Sequence, residues 1–173
     1  MSPKHDIQLQ AFTKNDYELL IRWINEERLM VNWTGSMFSF PLTAADLDWY
    51  TEESNDVGKS GVFIYKAVDL VTDKVVGHIS LGTARVSRVL VGKEAQRGVG
   101  ICQKMMRGIL KIGFEELKLH RISLGVYDFN KAAIRCYERA GFRTEGIARD
   151  IFLYENEYWS MVEMSILEDE WKP

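Results

Sequence analysis

Gln96-Arg97-Gly98-Val99-Gly100-Ile101-Cys102 stands between an apolar, strand-like run and a long amphipathic helix. Glycines at 98 and 100 let the backbone turn tightly and come close to a ligand. The helix that starts here aims unbonded N–H groups and its positive dipole end at the same point, so the stretch reads as a cradle for a pyrophosphate. A glycine loop ahead of a helix also occurs as a plain turn, and the surroundings must decide. Two nucleotide motifs are left incomplete. A P-loop needs Lys and then Ser or Thr after its last glycine, where Ile101 and Cys102 stand. A dinucleotide fingerprint needs a third glycine where Gln103 stands.

Upstream, residues 62–69 and 74–81 are strand-like and joined by the turn Leu70-Val71-Thr72-Asp73, and a third strand covers about 84–91. Short turns between sequential strands imply an antiparallel meander that ends at the cradle. Downstream, residues 101–117 place Met106, Ile109, Leu110, Gly113, Phe114 and Leu117 on one face and Gln103, Lys104, Arg107, Lys111 and Lys118 on another, the pattern of a helix lying on a sheet. The strand at 121–126 follows a helical crossover, which favours parallel pairing with 84–91. A second helix runs over 130–140 and stops at Gly141. Strands at 143–152 and 157–167 close the chain as a hairpin around Tyr154-Glu155-Asn156.

The first 60 residues predict a strand at 7–12, a helix starting at Thr13 that carries Leu19, Leu20, Trp23 and Ile24, and a second helix starting at Thr43 with Asp46 three residues later. Between the helices, residues 30–38 form a connection too rich in Met, Trp and Phe for a solvated loop. It either packs under the domain or lines a pocket, which makes Trp33 the acceptor-site candidate. Glu26 and Glu27 precede it, and Glu27 is the candidate to meet a cationic substrate; helix-end carboxylates are otherwise solvated charge.

At 173 residues, 46% apolar, the chain is long enough for one good core and short for two, so residues 1–173 are expected to form a single domain. A net charge of -3 argues against nucleic acid as a partner. No run approaches the roughly 20 apolar residues of a membrane span, and the first residues lack the apolar core of a secretion signal, so the expected location is the cytoplasm. Cys102 and Cys136 have no metal-type spacing; no metal site is expected, and both are read as reduced thiols.

Asn130, Ala133 and Tyr137 share one face of the second helix, which either meets a ligand or packs Tyr137 in the core with its hydroxyl on a backbone carbonyl. With the cradle, this helix makes the chain resemble the N-acetyltransferase superfamily abbreviated GNAT. Residues 97–102 match its Arg/Gln-x-x-Gly-x-Gly/Ala motif except at Cys102, and residues 130–142 match its downstream motif. The residues around Glu145 to Asp150 and Ser165 to Trp171 are similar to the branch of ribosomal-protein alanine and spermidine acetyltransferases, though Ser160 stands where many members carry aspartate.

The resemblance implies an α/β (α+β) fold: a mixed, mostly antiparallel central sheet with a splayed parallel strand pair, flanked by helices. It implies acetyl-coenzyme A as co-substrate. Leu90 and Val91 would pair with its pantetheine arm, the Val91 N–H would polarise the acetyl carbonyl, and Gln96, Arg97, Gly98, Val99, Gly100, Ile101 and Cys102 would hold the pyrophosphate. Asn130 would orient the arm or a water near it, Ala133 would stand beside it among the cofactor-binding residues, and Tyr137 would protonate the departing thiolate. The expected reaction is direct attack by a primary amine, that of a small molecule such as a polyamine, amino-sugar or aminoglycoside, or alternatively of a protein N-terminus. A non-catalytic acyl-coenzyme A sensor is the reading from another class. A homodimer, with Trp159 and Trp171 contributing surface, is also implied. Strand 84–91 carries Arg85 and Arg88 but no carboxylate, leaving Glu26, Glu27, His78, Asp150 and Glu155 as candidates to deprotonate the amine.

Overall fold

The computed structural model describes residues 5–56, 59–92 and 98–172. Gln96 and Arg97, two of the expected cradle residues, lie outside them. Seven strands form one sheet in the order β1-β2-β3-β4-β5-β7-β6: β1 Ile7–Ala11, β2 Val62–Asp69, β3 Lys74–Gly82, β4 Arg85–Val91, β5 Arg121–Tyr127, β6 Arg143–Tyr154 and β7 Glu157–Leu167. Only β4 and β5 pair in parallel, so the mixed, mostly antiparallel sheet expected from the sequence is what forms.

Among the described residues five α-helices flank the sheet: α1 Tyr17–Trp23, α2 Glu27–Thr34, α3 Ala44–Thr51, α4 Ile101–Lys111 and α5 Lys131–Arg139. The start of α3 is written in its residues. Asp46 N–H donates to Thr43 Oγ1 at 3.3 Å, while Thr43 N–H donates back to Asp46 Oδ2 at 2.9 Å. Thr13 and Asp16 form the same reciprocal cap ahead of α1. Residues 30–34, expected in a connection, are the last turns of α2: burying Met30 and Trp33 together needs helical spacing.

The helices sort onto the two faces. Met105, Met106, Ile109 and Leu110 of α4 and Cys136 and Tyr137 of α5 share one core with Val76, Ile79 and Val86. On the other face Leu20, Met30, Trp33, Leu47 and Tyr50 of α1 to α3 enclose Ile64 and Leu90. Each face therefore has its own apolar cluster, with the sheet between them.

Cys102 and Cys136 are joined as a disulfide, with Cα atoms 6.5 Å apart, which overturns the reading of two reduced thiols. Their separation of 34 residues hides that the first turn of α4 and the middle of α5 lie side by side. Of the two tryptophans expected to offer dimer surface, Trp159 is buried and Trp171 is half-buried. Trp159 is 2% exposed beneath Tyr127, Phe129, Phe152 and Tyr154, and Trp171 packs on Phe114.

Candidate active site

β4 and β5 touch at a single registered pair, Arg85 with Ser123, where Ser123 N–H bonds the Ala84 carbonyl at 2.9 Å. Beyond it they diverge, and a cleft of about 250 Å³ opens between them, lined among others by Ser87, Arg88, Val89 and Leu90 of β4, Leu124 to Tyr127 of β5, Trp33 and Thr34 of α2, and Asn130 and Tyr137. Because α4 and α5 lie on one face and α1 to α3 on the other, the cleft can be approached from both.

The divergence starts at a bulge. Arg88 has φ +51°, and the pairing of β3 with β4 shifts between His78 and Ser80. The Arg88 carbonyl that this turns out of the ladder accepts two bonds, from Trp33 Nε1 at 2.9 Å and from His78 Nδ1 at 3.0 Å. His78 is 1% exposed, and the rings of Phe12, Trp33 and Tyr50 surround it. Burial lowers its pKa to about 4, so it is neutral and its Nδ1 carries the proton. It does not line the cleft, which removes it as a base for the incoming amine.

Register decides which backbone groups of β4 face the gap. Gly77 opposes Val91, and Gly92 N–H donates to the Val76 carbonyl at 2.7 Å, so that pair lies outside a hydrogen-bonded ring and Val91 N–H points away from β3 towards β5. Leu90, one residue earlier, faces the other way. It pairs with His78, and its 6% exposed side chain is what reaches the cleft. Of the two, only Val91 thus turns its N–H away from β3, while Leu90 is the one that stands among the residues lining the cleft.

Gly98 and Gly100 have φ +80° and +88°, a conformation other residues resist, and a Cβ on either would meet nothing within 4 Å. Space above the loop is thus open, and Gly100 caps α4, whose first residue Ile101 is buried. The loop fits a phosphate group: Val99 and the first turn of α4 supply N–H groups without competing side-chain caps. Cys102 contributes backbone alone, its sulfur being committed to Cys136.

α5 begins where Asn130 Oδ1 accepts from Ala133 N–H at 3.2 Å, so these two residues are tied as a helix cap, and Asn130 also lines the cleft. One turn on, Tyr137 lies against Phe142, 7% exposed, at the cleft wall. Burial raises its pKa well above the ordinary tyrosine value, and among the described residues its hydroxyl bonds no backbone carbonyl. The phenol is held protonated.

Glu27 is exposed at the start of α2 and does not line the cleft, whereas Trp33 does. The two charged residues that line it, among the described ones, are Arg85 and Arg88. Their position in an apparently ordinary strand hid this role. Ser87, Tyr127 and Met161 were missed as well, since only the splay of β4 from β5 exposes them.

The family described as acetyltransferase (GNAT) domain matches residues 6–143. Among curated relatives, the probable N-acetyltransferase YjcK of Bacillus subtilis is 39% identical over 85 residues, 44% of this chain and 46% of that protein, so the chain spans about half of its length. Aminoglycoside N(6')-acetyltransferase type 1 of Klebsiella pneumoniae is 24% identical over 156 residues, 81% of this chain and 75% of the relative. Among solved structures, spermidine N-acetyltransferase from Vibrio cholerae, in complex with CoA and spermine, superposes with a TM-score of 0.79 at 20% identity, covering 95% of this chain and 96% of that one. This last likeness concerns the fold.

Proposed function

Because the chain belongs to the acetyltransferase (GNAT) domain family, we propose that it is an acetyl-coenzyme A dependent N-acetyltransferase acting on the primary amine of a small molecule. The observation that carries this reading is the cleft between β4 and β5, with a protonated Tyr137 on its wall and a glycine cradle beside it. The donor would supply an activated acetyl thioester. Val99, Gly100 and the first turn of α4 would hold its pyrophosphate, with Gln96, Arg97 and Gly98 completing the loop. Val91 N–H, turned to the gap, would bind an acyl oxygen, a contact of a kind worth about 2.7 to 4 kcal/mol.

Tyr137 would deliver its proton to the thiolate as it leaves, its raised pKa keeping that proton in place across the working range. Asn130 and Ala133 fix the turn from which Tyr137 projects. No carboxylate lines the cleft among the described residues, so the ammonium would lose its proton to solvent before it enters. The small cleft favours a small molecule over a protein N-terminus. A donor kept inside cells makes the cytoplasm the place of work in this reading; among the described residues no helix is long and apolar enough to cross a membrane. The homodimer would form through the β6–β7 hairpin, where Ile147, Ile151, Leu153 and Tyr158 are 50 to 65% exposed.

The test is thiol release from acetyl-coenzyme A across a panel of amines, run beside calorimetric titration with the donor. Turnover with any amine supports the enzyme. Binding without thiol release from any of them would identify a sensor, and no binding at millimolar donor would remove both readings.

A further inference from the structure

The two arginines of the cleft are not equivalent. Arg85 forms a fork with Glu163, Nη1 to Oε2 at 2.9 Å and Nη2 to Oε1 at 3.1 Å, so its charge is answered within the protein. Arg88 lies on the face of α1 to α3 with neutral neighbours. Its Nη1 donates to Ser87 Oγ at 3.0 Å and Ser80 Oγ at 3.4 Å, its Nη2 sits 2.9 Å from Met37 Sδ, and its Cζ lies 4.8 Å from the centroid of the Tyr50 ring. Its Nε is buried without a partner, as is the hydroxyl of Tyr50 beneath it. Among the described residues, no carboxylate comes within ion-pair distance of Arg88.

Half-burying a guanidinium without a counter-charge is costly, and the chain avoids that cost at Arg85, three residues away. Two serine hydroxyls, a thioether and an aromatic ring orient the group and leave its charge unanswered. The donor's phosphates would not answer it, because the glycine cradle opens at the start of α4 on the opposite face. Among the described residues, nothing acidic lines the cleft to receive a second ammonium group.

We propose that Arg88 receives an oxyanion carried by the acceptor itself, so that the substrate class is a small amine bearing its own carboxylate or phosphate. This rests on the acetyl-transfer reading and narrows it. A planar guanidinium grips such a group through two parallel bonds, which fixes the amine relative to the cleft, and a polycationic amine meets repulsion from Arg88. Arg88 is then the residue that sets specificity, while its carbonyl, held by Trp33 and His78, keeps the bulge in place whatever its side chain does.

The experiment uses matched triplets of amines with two to six carbons that differ only at the far end: alkyl, carboxylate or phosphate, and ammonium. kcat/KM is measured with the full chain and saturating acetyl-coenzyme A. The anionic members are expected to exceed the ammonium members by about tenfold or more, the size of a charge-assisted hydrogen bond. Which anion leads tells carboxylate from phosphate. Arg88→Gln should bring the ratio of anionic to alkyl member close to one, and Arg88→Lys should keep part of it, with thermal unfolding to show that both variants fold. The wild-type order is decisive without either variant. Preference for the ammonium members, or an unchanged ratio in folded Arg88→Gln, would overturn the inference and leave the acetyltransferase standing. Thiol release with no amine at all would overturn the transferase reading, and this one with it.

Discussion

The indole Nε1–H of Trp33 donates to the carbonyl oxygen of Arg88 at 2.9 Å, joining the last turn of α2 to the bulge in β4. His78 donates to the same oxygen from within the sheet. The residue read as a pocket aromatic is thus also a clamp on the strand that shapes the cleft. Trp33→Phe keeps the ring and removes the donor. We expect a loss of about 1 kcal/mol in urea unfolding, the usual worth of one hydrogen bond. A several-fold fall in kcat/KM should accompany it, because near-attack geometry depends on the position of β4.

His78 makes stability depend on mild acid. Its folded pKa, lowered first by burial to about 4, lies below the 6.5 of an open chain, so the unfolded state takes up the proton first as pH falls. Stability is full above pH 6.5 and declines towards pH 4, by about 3 kcal/mol at most. Asp69 adds a separate step. Burial raises its pKa, but bonds from His5, Asp6, Val71 and Thr72 outweigh this and hold it at about 2, so its contribution is lost between pH 3.8 and 2. Unfolding free energies against pH should show two descents, and His78→Asn should flatten only the upper one.

Tyr137→Phe removes a hydroxyl that makes no hydrogen bond among the described residues, so its melting temperature should stay within a degree or two of wild type. kcat should fall about a hundredfold or more if the phenol is the proton donor. In the wild type no alkaline downturn should appear below pH 10, because the buried phenol stays protonated there. A pH profile of thiol release checks both.

The disulfide ties the cradle helix to the helix of Tyr137 and closes a loop across 34 residues. Reduction, or Cys136→Ser, should cost about 2–4 kcal/mol of stability. It should also raise KM for acetyl-coenzyme A more than it lowers kcat. Thiol titration of the unfolded protein, with and without reductant, checks the bond itself.

Gly100→Ala places a side chain at φ +88°, a strain of about 1–2 kcal/mol, where it also narrows the approach to the α4 N–H groups. KM for the donor should rise several-fold. Gly146→Ala, where a Cβ meets nothing within 4 Å and φ is not positive, is the control and should be near neutral.

Much of the site was legible because its signals are local. The glycines at 98 and 100 announce positive φ, Asn130 announces a helix start, and Asn130, Ala133 and Tyr137 share a face by spacing alone. The strands of the meander were legible from apolar patterning and turn residues, as were both capping boxes. That Val91 and not Leu90 turns its N–H away from β3 was not legible, because a bulge with positive φ on an arginine has no signature in the chain. That Glu27 stands exposed outside the cleft lining was not legible, because a charge at a helix end says nothing of what lies above it.

What the amino-acid sequence determined by itself was the set of elements, their order and the cradle, since these follow from interactions between residues a few positions apart. Only the tertiary structure decided that Cys102 meets Cys136, that Trp33 and His78 hold the carbonyl of Arg88, and that Arg85 has a carboxylate partner where Arg88, among the described residues, has none. Those facts depend on which elements become neighbours across a sheet that splays between β4 and β5, and contacts between residues distant in the chain exist only once the sheet has formed.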